Sequence, residues 1–213
     1  MNSTELRDYF RMQVVDTVRP YFWTDIEVFT YLNEAQLMFC RLTDGIADAD
    51  TTEVTVVPVV TGEIFAVAHP SIITFRNAIL VSTGGELEIK NHTDIHKWLN
   101  QTGRVSQMII GLQDGLLRWN YTPAVDDEVN LLVYRRPLED ITGVGQELEI
   151  DTRHHVSLVH WMKYLAFMKQ DTEIQDSSVA NKCAADFSAY CAQVKVEQEH
   201  YKHKPRAVAY GGI

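Results

Sequence analysis

From Thr4 to Val18 the apolar residues Leu6, Tyr9, Phe10, Val14 and Val18 recur at helical spacing, with Ser3 or Thr4 available as N-cap and Pro20 closing the segment. This predicts a first amphipathic helix. A second starts at Thr24, where Thr24 as N-cap and Glu27 three residues on form a capping box and Trp23 can staple onto Val28. Its apolar stripe runs Ile26, Phe29, Leu32, Leu37 and Cys40, and Gly45 is its stop signal. Asn33 and Gln36 interrupt the stripe, so they either sit at its margin or hydrogen-bond to a neighbour.

The period then changes. Between Thr51 and Leu138 short β-rich runs alternate with turn residues: 53–60, 64–68, 72–81, 87–90, 105–112, 116–120 and 129–134. Asp114-Gly115 between two apolar runs predicts a hairpin, and Pro58 makes the first run an edge strand or a bulge. Beyond Gly143-Val144-Gly145, read as a flexible connection, the helical period returns. A third helix near 151–170 carries Val156, Val159, Met162, Leu165 and Ala166 on one face. A fourth starts at Asp176 or Ser177 and presents Val179, Cys183, Phe187, Cys191 and Val194, until Pro205 prevents its continuation.

The order predicts an α+β protein: a four-helix bundle formed by N- and C-terminal helix pairs, with an antiparallel β-sandwich or small barrel inserted between them. The expected divisions are 1–48 and 141–200 for the helical pairs, 49–140 for the β domain and 201–213 for an extended C-terminal tail.

Composition narrows the function. With 46% hydrophobic residues in 213, the chain can bury a core, and its apolar runs are too short for a bilayer-spanning helix. Glu5, Arg7 and Asp8 do not fit a secretory signal, so synthesis in a cytoplasm is expected. Cys40, Cys183 and Cys191 fall where helices bury small apolar residues and read as reduced core thiols. The formal net charge is −10; residues 200–213 contribute +3, so residues 1–199 carry −13. Such a balance argues against a general nucleic-acid coat and suggests a basic tail for an acidic partner surface.

Candidate chemistry is sparse. His154, His155 and His160, with Asp151 nearby, offer the one case for a metal-dependent enzyme, but their spacing spreads them over different helix faces, which favours surface or subunit-contact histidines. His92 and His96 flank Asp94 between strands, where a chance pairing is the simpler reading. The acidic runs 126–128 and 147–151 read as solvated loop acids, and no phosphate loop, nucleophile elbow or zinc-protease helix occurs. Neither a catalytic residue nor a metal or cofactor is expected. Arg135-Arg136-Pro137 closes the last strand and suggests a subunit contact. Trp98, Trp119 and Trp161 read as packing anchors.

In order, Trp23-Thr-Asp-Ile-Glu with Tyr31-Leu-Asn-Glu-Ala35, Trp98 followed by Gly103, 116–120 leading into Tyr121-Thr-Pro123, and Val133-Tyr-Arg-Arg-Pro-Leu138 resemble the landmarks of tailed-bacteriophage head-to-tail connector (adaptor) proteins. This chain has only Pro123 where those proteins usually show a Pro-x-Pro-like turn. The resemblance implies a non-enzymatic virion protein at the head-tail junction. It implies a homo-oligomeric ring, commonly of twelve copies, between a portal protein and a tail or nozzle protein, through which DNA passes without specific binding. It also implies a portal-docking tail, here Tyr201, Lys202, Lys204, Pro205, Arg206, Tyr210 and Ile213. A tube or tail-completion subunit shares the ring logic and stands as the alternative.

Overall fold

The computed structural model describes residues 1–94, 101–169 and 175–202. The elements in chain order are α1 (Ser3–Gln13), α2 (Asp25–Leu42), β1 (Ile46–Asp48), α3 (Thr52–Thr55), β2 (Val56–Val59), β3 (Phe65–Val67), β4 (Ile72–Leu80), β5 (Gly85–Glu86), β6 (Glu88–Asn91), β7 (Thr102–Gly103), β8 (Gln107–Ile110), β9 (Leu116–Trp119), β10 (Thr122–Pro123), β11 (Asp127–Arg135), α4 (His155–Met168) and α5 (Ser177–Lys202). The class is α+β. The chain divides into two compact units, one built from Met1–Thr43 and the chain from Asp140 onward, the other from Asp44–Glu139.

In the helical unit α4 packs against α1, α2 and α5. Leu158, Val159, Met162 and Ala166 of α4 are buried, while Val156, expected on the inner face, is half exposed. α2 begins as its sequence demands: Thr24 accepts from the Glu27 amide at 3.3 Å and the Glu27 carboxylate accepts from the Thr24 amide at 2.8 Å. Ile26 nevertheless faces solvent, and the stripe is filled by Val28, Ala35 and Phe39 beside Phe29, Leu32 and Cys40. Asn33 does hydrogen-bond across: its side chain accepts from the Ile141 amide at 2.8 Å and donates to the Ile141 carbonyl at 3.0 Å.

α1 departs most from expectation. Its cap is Asn2, paired with Glu5 in a capping box, and it ends at Gln13 instead of running to Val18. Val15 then takes a left-handed φ of +58°, unusual for a β-branched residue, and redirects the chain. A buried ionic network outweighs the apolar period. Arg11 reaches Asp16 and Asp25, each at 2.6 Å, and the Trp23 carbonyl at 2.9 Å, while its guanidinium lies 3.8 Å over the Tyr21 ring. Asp16 in turn accepts from the Phe22 amide at 2.9 Å. The stretch between the first two helices is thus a loop pinned from inside.

In the β-rich unit β11 is the central strand, flanked by β4 on one side and by β1 and β2 on the other. Its period of two buries Val129, Leu131, Val133 and Arg135. A second sheet runs β3-β9-β8-β6. Side chains of both sheets enter one core, with Trp119, Met108 and Leu117 from the second sheet and Ala78, Leu80, Val57 and Val59 from the first. The expected hairpin is present, β8 pairing β9 with Met108 opposite Trp119 and Gly115 at φ +71° in the connection. Pro58 sits in β2, which among the described residues pairs only with β11, so its missing amide costs no ladder bond to another described strand.

Three expectations need correction. Among the described residues no sheet closes into a barrel. Nor are all pairs antiparallel: β6–β8 and β7–β10 are parallel, an arrangement that the long stretches joining each pair allow. The run 53–60 is not one strand, since Asp48 accepts the Asp50 and Thr51 amides and the Thr51 carbonyl accepts from Val54 and Thr55, folding α3 as a single turn.

Candidate docking surfaces

The expected docking tail follows α5, so α5 sets where it starts. Asp176 caps this helix, accepting from the Ser178 and Val179 amides at 3.0 Å each. Ala180, Cys183, Phe187, Cys191 and Val194 are buried, and Phe187 stacks on Trp161 with ring centroids 5.4 Å apart. Burial pushes the Cys191 thiol up to about 12, so it is not a reactive thiolate at neutral pH. Tyr201 and Lys202 are the last two residues of α5; Lys204, Pro205, Arg206, Tyr210 and Ile213 lie outside the described residues.

Arg135 and Arg136 part company. Arg136 is exposed, whereas Arg135 is buried and ion-paired through Nε with the buried Asp48. Arg135 therefore supports its own fold instead of standing free for a neighbour. Alternation along β11 is the reason: 129, 131, 133 and 135 all point to the core. Burial alone would raise the Asp48 carboxyl, but the Arg135 guanidinium and the Thr51 and Asp50 amides outweigh it and hold it well below the usual carboxylate range.

Reasoning from sequence missed the loop between α1 and α2. Val15, Val18 and Ile26 are 81%, 77% and 80% exposed, and Met12 and Phe22 are exposed with them. Two of these five, Val18 and Ile26, lie on apolar faces by helical spacing alone. The sequence signal was Arg11 on the apolar side of α1 with Asp16 five residues on.

A model of the family described as SU10 adaptor protein matches residues 1–208. The chain belongs to this phage head-to-tail adaptor family. A search of curated proteins gives no match. The adaptor is thus a structural component of a virion, and no helix among its described residues is long and apolar enough to cross a membrane.

His154 and His155 are not the surface groups their spacing suggested, while His160 on α4 is half-buried. His154 is buried between Phe39 and Tyr190, its Nδ1 lying 2.8 Å from the Tyr190 hydroxyl. His155 is fully enclosed and donates from Nε2 to the Ile150 carbonyl at 2.7 Å, leaving Nδ1 without a partner among the described residues. The short turn at 152–154, capped by Asp151, rotates the two rings inward ahead of α4. No group of three His, Cys, Asp or Glu side chains among the described residues has metal-binding geometry. His92 lies in a short turn before the undescribed His96 and Trp98. Trp119 is completely buried, and Trp161 stacks on Tyr164 as well as Phe187.

Two loops are better tied than expected. Gly143-Val144-Gly145 is fastened by the Gln146 side chain, which accepts from the Thr142 and Gly143 amides at 2.8 Å each, and by Thr4, which accepts from the Gly145 amide at 2.8 Å. Asp126 accepts from the Thr61 amide at 2.7 Å, and Asp127 from the Ser82 hydroxyl and amide, so these acids fasten neighbouring turns.

Acid should weaken the two units in different ranges. Burial, helped by Arg153, lowers His154 from its ordinary 6.5, so the unfolded chain binds the proton first and this contribution is lost as pH falls below about 6.5. Asp48 is depressed, so its contribution persists until the pH falls below about 4, the ordinary range of an aspartate. Hydrogen exchange at pH 7, 5.5 and 4 should show α4 amides losing protection before those of β11. Equal loss at pH 5.5 would contradict this ordering.

Proposed function

We propose that the chain forms a homo-oligomeric ring, of about twelve copies as is common for such adaptors, beneath the portal of a tailed phage. It joins head to tail and lines the channel through which DNA leaves. The family match over residues 1–208 carries this reading. In it α1, α2, α4 and α5 form a four-helix bundle, the two sheets a sandwich, and the distal neighbour is a tail or nozzle protein. The charge partition supports it: a body of −13 repels phosphate, so DNA slides past without binding. The residues after Glu199 carry +3 and suit an acidic cleft on the portal. Tyr201, Lys202, Lys204, Pro205, Arg206, Tyr210 and Ile213 are the proposed contacts there, and Arg136, exposed where Arg135 is not, is the remaining candidate for a subunit contact.

Co-sedimentation with portal rings of the same phage tests this. The full chain should bind saturably in a ring-like multiple. A chain ending at Tyr201 should keep its helical circular dichroism and melting temperature yet bind at least tenfold more weakly, roughly 1.4 kcal/mol. Equal binding by the shortened chain would remove the tail assignment; no binding by the full chain would favour a tube or tail-completion subunit.

A further inference from the structure

Hydrophobic side chains rarely stand out on a loop that is rigidly built. Between α1 and α2 Val15, Val18 and Phe22 do, flanked by the exposed Met12 at the end of α1 and Ile26 at the start of α2, while Arg11, Asp16 and Trp23 are buried. Met12, Val15 and Ile26 each adjoin in sequence a member of the Arg11–Asp16–Asp25 network, so the anchors that fix the loop also fix where these side chains emerge. The left-handed Val15 costs on the order of 1–3 kcal/mol. A strained, internally pinned loop with its apolar residues outward is a surface suited to a partner. Its exposed charge is Arg19, since Asp16 is buried and Asp25 pairs with Arg7 and Arg11.

The β-rich unit carries a concave counterpart. A groove of about 750 Å³ is lined by Val67, Ile73, Phe75, Ile110 and Leu116, with Asp114 as its charged residue. Val67, at the free edge of β3, is 76% exposed. The loop carries one base, and the groove carries one acid beside His69, Thr74 and Gln113.

We infer that the α1–α2 loop of one copy seats in the β3–β4–β9 groove of the next, with Arg19 facing Asp114. This rests on the ring reading above and names one of its subunit contacts. Loop and groove belong to different units of the chain, so in a ring each copy offers its loop to one neighbour and its groove to the other. Five side chains on and beside one loop present less than the roughly 800 Å² per partner of a stable interface. The contact is therefore weak in dilute solution and closes when a template concentrates the copies.

Sedimentation of the full-length chain over a rising concentration series tests the contact without any portal. Weak self-association is expected. Arg19→Asp and Asp114→Arg should each weaken it about fivefold, and the double reversal R19D/D114R should restore it to within about twofold, because exposed pairs contribute up to about 1 kcal/mol. Val18→Asp should weaken it at least tenfold with circular dichroism and melting unchanged. The contact is overturned if the single reversals change nothing, if the double stays as weak as the singles, or if the chain stays monomeric up to millimolar concentration. It is overturned equally if V18D lowers portal binding alone, which would make the portal the occupant. Charge-swap rescue with no portal binding would instead sink the ring reading and uphold the contact.

Discussion

Asp48→Asn is expected to destabilise the β-rich unit by about 3–5 kcal/mol, because it removes the buried carboxylate that the buried Arg135 guanidinium pairs with. Asparagine retains an oxygen for the Asp50 and Thr51 amides, so the turn that leads into α3 is spared and the loss reports the ion pair. Arg135→Met should cost a similar amount by stranding the carboxylate. Combining the two removes both charges and should recover most of the loss. Urea unfolding of the four proteins measures this; additive losses in the double variant would show that the pair acts through something other than its charges.

Arg11→Met is expected to lower the stability of the helical unit by about 3–5 kcal/mol as well, for a different topological reason. Arg11 joins the end of α1, the loop acid Asp16 and the first turn of α2, so its loss uncouples three segments at once. Asp16 would stay buried with only the Phe22 and Trp23 amides for company. Beyond the fall in unfolding midpoint, amides of the loop should lose more protection than those of α5. Uniform exchange over the whole unit would mean that Arg11 holds the fold, not the loop.

What was legible from sequence was local and periodic. The Thr24–Glu27 box, the Asp114-Gly115 hairpin and the Cys183, Phe187, Cys191 and Val194 stripe depend on neighbours within a few residues, and each is present. The misses come from partners far away or from polar groups overruling a pattern. Val14 and Val18 continue the period of α1, yet Asp16 is drawn to Arg11 and the helix stops. Arg135 looks like a surface charge until Asp48, 87 positions earlier, is brought beside it. His154 and His155 look polar enough for the surface until Tyr190 and the Ile150 carbonyl take their nitrogens. Of the proposed docking segments, the tail stands out by its charge and by the family resemblance, which periodicity does not reach, and the α1–α2 loop lies under a helical period that runs on to Val18.

The helical unit is discontinuous, and Ser3 shows what that means for a growing chain. Its amide donates to the Gln146 carbonyl at 2.8 Å and its hydroxyl to the Gly143 carbonyl at 2.8 Å, so α1 is secured by residues made some 140 positions later. The unit from Asp44 to Glu139 is contiguous and can close once it has left the ribosome, at roughly 5–20 residues per second. Leu6, Phe10, Phe29 and Leu32 must meanwhile wait for α4 before they are covered. During that interval of several seconds the first two helices are the part of the nascent chain that a chaperone would hold.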